Sequence, residues 1–117
     1  MADQNLPPDP PIRRIVTSHD KDGKAVVMMD GPATNHKWSP GGDGTVSTLL
    51  WSSFETPAEI WTVEDFGERI IGTPPPPMGS RFCVIDFPGG APGRMHRTDT
   101  VDCVVCMAGE IDMDMNG

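Results

Sequence analysis

The stretch GAPGRMHRTDTVDCVVCMAG, running from Gly90 to Gly109, decides the fold. His96, Thr98, Thr100 and Asp102 recur in it at every second position. Successive side chains of an extended backbone point to opposite faces, so these four share one face. Thr100 to Ala108 reads as a strand rich in valine, and Gly109 as the turn into another strand, Glu110 to Met115. Ile111, Met113 and Met115 fall on one side of that last strand, and Asp112 and Asp114 on the other. This half-buried pattern suits the wall of a barrel or sandwich with its apolar set turned inward.

Working outward toward the N-terminus, more short strands separated by turn signals come into view. Ser80 to Phe87 reads as a strand, as do Thr45 to Trp51, Lys24 to Asp30 and Ile12 to Ser18. His19-Asp20-Lys21-Asp22-Gly23 ends in the Asp-Gly pair of a hairpin turn. Residues 31 to 44 carry prolines and glycines and read as a long surface loop. Val63 to Phe66 has the composition of one helical turn, which Gly67 stops. Thr73 to Gly79 holds four consecutive prolines and must run extended outside any sheet interior. Residues 1 to 11, with four prolines, read as a disordered or loosely packed arm, leaving residues 12 to 117 as a single β domain.

Bulk composition narrows the function. The 117 residues fit one domain or part of one. Nine basic side chains against 17 acidic ones give a formal charge of −8. A chain this acidic gains nothing from counterion release on a phosphate backbone, and an anionic bilayer repels it. Neither nucleic acid nor membrane is therefore an expected partner. Thirteen glycines and 13 prolines favour short strands and turns over long helices. Three cysteines, Cys83, Cys103 and Cys106, cannot all pair internally, and Met1 to Pro11 lacks the basic and apolar regions of a secretory signal. The expected compartment is the cytoplasm, with the thiols reduced.

The spacing Gly90-x5-His96-x-Thr98-x3-Asp102-x6-Gly109 resembles the first signature motif of the cupin superfamily. The opening residues Arg13 to Thr17, His19-Asp20 and Gly23 to Val26 look like the first hairpin of a group of small microbial cupins, some of them similar to oxidoreductases of fungal polyketide pathways. The resemblance runs from about Ile12 to Gly117. It implies a double-stranded β-helix, or jelly roll, present as its N-terminal portion with an incomplete barrel. It further implies small-molecule binding in the barrel cavity and a homodimer. Where the family places a histidine pair and a glutamate around a metal, this chain has His96, Thr98 and Asp102. The second signature motif, which supplies another histidine, would lie beyond residue 117.

On that resemblance His96 and Asp102 are the candidate catalytic pair, and Thr98 and Trp51 the candidate cavity lining. His96 is also the candidate metal ligand. Thr98 offers a neutral hydroxyl, a weak donor to a divalent ion, and Asp102 is one methylene shorter than the family's glutamate. A transition-metal site takes at least three protein ligands. No cofactor is therefore expected from this chain alone; Fe, Mn, Ni or Zn becomes possible only if further ligands complete the site. The complete form would act as an oxidoreductase, isomerase or lyase on a small polar or polyketide-like substrate. The competing reading is a degenerate or truncated cupin that serves as a structural or dimerisation module.

Other features have plainer readings. Cys103 and Cys106 stand three apart, which in a strand puts the sulfurs on opposite faces, so they read as small hydrophobes. His19 and His36 read as solvated histidines, Trp38 and Trp61 as packing residues, and the proline run as a rigid connector.

Overall fold

Residues 5–116 are described by a computed structural model of the chain. Its strands are β1 (Arg13–His19), β2 (Ala25–Pro32), β3 (His36–Trp38), β4 (Val46–Ser53) and β5 (Ser80–Asp86), with one 3-10 turn at Phe66–Glu68. β1 and β2 form a two-stranded antiparallel sheet, and β3, β4 and β5 a three-stranded antiparallel sheet in that order. The architecture is all-β.

Local chemistry explains the first hairpin. Asp20 Oδ1 accepts from the Asp22 and Lys24 amides, both at 2.9 Å, an Asx-type turn that reverses the chain. Gly23 adopts φ 78°, a left-handed conformation that a side chain would oppose. The register shifts between Val16 and Thr17, the kind of irregularity that locally bends a strand pair.

β4 is the most buried element. Val46, Thr48, Leu49 and Ser52 are all buried, and Ala33 and Phe66 complete a small core. The two buried hydroxyls are satisfied: Ser52 Oγ donates to the Phe66 carbonyl at 2.7 Å, and Thr48 Oγ1 lies 2.9 Å from His36 Nδ1. His36 is therefore a half-buried strand residue rather than the solvated loop histidine its surroundings in sequence suggest. β3 itself occupies the middle of residues 31 to 44. Three residues paired with Val46 to Thr48 are too few to leave a periodic signal.

The two sheets are held together by one polar cluster. Arg14, on β1 and 5% exposed, sends its guanidinium toward β4 and the 3-10 turn. It donates to both Asp65 carboxylate oxygens, at 2.9 and 2.6 Å, to Glu68 at 3.2 Å and to the Leu50 carbonyl at 3.2 Å. Asp65 in turn caps the 3-10 turn by accepting from the Gly67 amide at 2.9 Å. The helical turn expected at Val63 to Phe66 thus starts later, because Asp65 serves as its cap instead of its interior. Asn35 fastens the other side, donating from Nδ2 to the Gly67 and Arg69 carbonyls.

The expected strand pair at Thr100 to Ala108 and Glu110 to Met115 is absent among the described residues. The chain does turn at Gly109, with φ 72°, but neither segment has a neighbour to bond to. Alternating side chains fix a conformation; a strand also needs a partner backbone.

Candidate functional site

The segment from Arg94 to Asp102 carries the residues that sequence reasoning singled out. Thr100 Oγ1 lies 2.7 Å from Asp102 Oδ1 and 3.2 Å from Thr98 Oγ1. Thr98, Thr100 and Asp102 thus form one row of oxygen atoms, helped by a bend at Asp99 and Thr100 that draws them closer than a straight strand would. All three are exposed. His96, two residues before the row, is exposed as well, and its Nδ1 lies 3.0 Å from the Arg94 carbonyl oxygen. No contact joins the His96 ring to the Asp102 carboxylate.

Among the described residues, no three His, Cys, Asp or Glu side chains gather closely enough to hold an ion. The Thr98 hydroxyl is taken up by Thr100, and His96 Nδ1 faces a backbone carbonyl. What the row can do chemically is accept a proton at the carboxylate and present hydroxyls to a polar ligand.

Trp51 lies elsewhere, on β4. With Phe54, Phe66, Ala58, Glu55, Glu59 and Arg69 it lines an open cleft of about 220 Å³. The Trp51 and Phe66 rings stand 5.6 Å apart, and the Arg69 guanidinium lies 4.4 Å from the Phe54 ring centre and 4.2 Å from that of Phe66. Glu64 pairs with Arg69, and this contact raises the Arg69 pKa. The cleft is smaller than the pockets that enclose drug-sized molecules. His96, Thr98 and Asp102 do not line it.

Phe54, Phe66 and Arg69 were not legible as a group. They come from the end of β4 and from the far side of a loop, and no spacing rule connects them. The same holds for Arg14 and Asp65, 51 positions apart. Their proximity brings the Asp65 carboxyl below its ordinary value of 3.8, mainly through the Arg14 hydrogen bonds, with burial opposing.

No family model matches the chain. Two proteins of Diaporthe leptostromiformis, phomopsin biosynthesis cluster protein C' and phomopsin biosynthesis cluster protein D, are each 29% identical to it over 105 residues. The match covers 86% of this chain and 55% of each relative. The chain thus spans about half the length of the curated relatives it matches.

Proposed function

We propose that this chain is the N-terminal portion of a cupin-type jelly roll, and that it binds a small molecule against the His96, Thr98 and Asp102 face. The observation that carries this reading is the row of oxygens joined through Thr100. It is solvent-facing, has a carboxylate at one end, and lies on a backbone with open hydrogen-bonding edges that a completed sheet would fold around. The names of the two relatives refer to a biosynthesis cluster, which favours a small organic metabolite as ligand. In an enzymatic version, an oxidoreductase, isomerase or lyase, either His96 accepts the substrate proton or Asp102 acts as the base. Thr98 and Thr100 orient the substrate's oxygen.

The second reading, a non-catalytic structural module, is favoured by one specific observation: Thr98 and Asp102 replace two of the three ligands of the resembled motif, and no contact joins His96 to Asp102. Metal analysis of the purified protein by mass spectrometry separates the metalloenzyme version, and substoichiometric Fe, Mn, Ni and Zn is the expected result for this chain.

The reading itself is tested by screening small enolisable ketones and hydroxylated aromatics with ligand-observed NMR. Hits should lose about tenfold or more in affinity in Asp102→Asn and His96→Ala, the cost of removing one or more hydrogen bonds to a charged or polar group. Undiminished binding in both variants would remove the reading.

A further inference from the structure

Two cations of the three-stranded sheet converge on a single loop residue, Thr73. Lys37, on β3, donates from Nζ to the Thr73 hydroxyl at 3.0 Å. Arg81, on β5, donates from Nη1 to the Thr73 carbonyl at 2.8 Å and from Nη2 to the Ser47 hydroxyl at 2.9 Å. Ser47 lies on β4 directly opposite Lys37 in the register, so three neighbouring strands fix the arrangement. All of these acceptors are neutral oxygens, and the buried Arg81 Nε has no partner. Among the described residues neither Lys37 nor Arg81 forms a salt bridge, whereas Arg13, Arg14 and Arg69 each hold a carboxylate. Positive charge around Thr73 is therefore left without a counter-charge in a chain that carries −8 overall.

Thr73 is exposed, lies outside both sheets and is followed by Pro74 and three more prolines, whose rings keep the backbone out of a helix. A hydroxyl residue followed by proline on an exposed loop is the substrate form that proline-directed protein kinases accept. The sequence contains two other such pairs, Ser39-Pro40 and Thr56-Pro57. The Ser39 hydroxyl bonds the Asp43 carboxylate, where a phosphate would meet a like charge. Thr56 follows Glu55, and its hydroxyl donates to the Met78 carbonyl. Of the three hydroxyls, that of Thr73 is the one bonded to a cation.

We propose that Thr73 is a phosphorylation site and that Lys37 and Arg81 form the cradle for its phosphate. The donor is ATP, bound by a proline-directed kinase. The Thr73 Oγ1–phosphorus bond forms as the bond from the γ-phosphorus to the β,γ-bridging oxygen breaks. ADP leaves, and the hydroxyl proton passes to the kinase's base and then to water. The product carries a charge of about −1.5 to −2 at neutral pH and three acceptor oxygens. Lys37 Nζ already lies beside the oxygen that takes the phosphorus, and the Arg81 fork then exchanges neutral acceptors for a charged one. Charge-assisted hydrogen bonds are roughly twice as strong as neutral ones, so the modification fastens the proline loop to the sheet. None of these residues belongs to the His96, Thr98 and Asp102 face, so the two readings stand or fall separately.

The full chain, incubated with a proline-directed kinase and ATP and mapped by peptide mass spectrometry, tests it. Phosphate is expected on Thr73 ahead of Ser39 and Thr56, and Thr73→Ala should remove that modification. The phosphorylated chain should melt about 4 °C or more above the unmodified one. Phosphorus NMR gives a readout independent of stability. The second ionisation of the phosphate, ordinarily near pH 6, should be lowered by the two cations and return toward its ordinary value in Lys37→Ala, an exposed position whose loss the fold tolerates. No incorporation at Thr73 would overturn the proposal, as would a melt lowered by the phosphate or an ionisation indifferent to Lys37→Ala. Millimolar inorganic phosphate that raised the melt of the unmodified chain equally would overturn it too, because the cations would then serve a free anion.

Discussion

Asp65→Ala is expected to lower the unfolding free energy by about 3–4 kcal/mol, the cost of stranding a buried guanidinium plus the loss of a turn cap. The guanidinium of Arg14 has a side-chain exposure of 4% and cannot reach water when its carboxylate partner goes. Glu68 remains, but at 3.2 Å and with a side-chain exposure of 51% it compensates only in part. Small domains hold about 5–15 kcal/mol in total, so the variant should sit near the edge of folding. Urea titration followed by tryptophan fluorescence measures the loss directly. The same pair sets an acid limit. Because the Asp65 carboxyl titrates below its ordinary 3.8 in the folded chain, its contribution is present in full above that value. It is lost as pH falls through the folded-state pKa. Asp65→Asn should flatten this part of the stability profile, and a profile unchanged by that substitution would contradict the assignment.

Gly79→Ala should be at least as damaging. A Cβ at Gly79 would overlap the Ser53 carbonyl oxygen and come within 2.9 Å of Phe54 Cα. Both obstacles are backbone, so no side chain can rotate away. The clash falls next to the Ser53–Ser80 pair, where β4 and β5 begin to run together. A loss above about 4 kcal/mol is expected, in the range reserved for disrupted backbone packing. Gly89→Ala is the control: a Cβ there meets nothing within 4 Å, and its effect should stay within about 0.5 kcal/mol. Thermal melts of the two variants side by side decide the matter.

Local pattern made much of the core legible. Ser80 to Phe87 became β5 almost residue for residue, and the Asp-Gly turn at residues 22 and 23 placed the first hairpin. β-branched runs and turn glycines are local signals, and these elements obey them. β3 escaped because three residues carry no period, and the Arg14 cluster because its partners meet only after folding. The valine-rich segment after Thr100 shows a different limit. The alternation just before it, at residues 96 to 102, is visible in the sequence, but the close row Thr98, Thr100, Asp102 also needs the bend at Asp99 and Thr100. Whether such a segment becomes a strand depends on a neighbour that its own residues do not specify. For the candidate site, the hydrogen bonds from Thr100 to Thr98 and Asp102 join residues two apart, whereas the separation of Trp51 from them has no local signal. Trp51 packs beside Phe66 of the 3-10 turn, their rings 5.6 Å apart.

The course of residues 96 to 102, with Thr98 and Asp102 both joined to Thr100, underlies the proposed ligand face. Backbone chemical shifts and side-chain nuclear Overhauser contacts from isotope-labelled protein measure it most directly. Extended-type shifts with Thr98–Thr100 and Thr100–Asp102 contacts are the predicted result; helical shifts across this segment, or Thr98 and Asp102 on opposite sides of the chain, would contradict it.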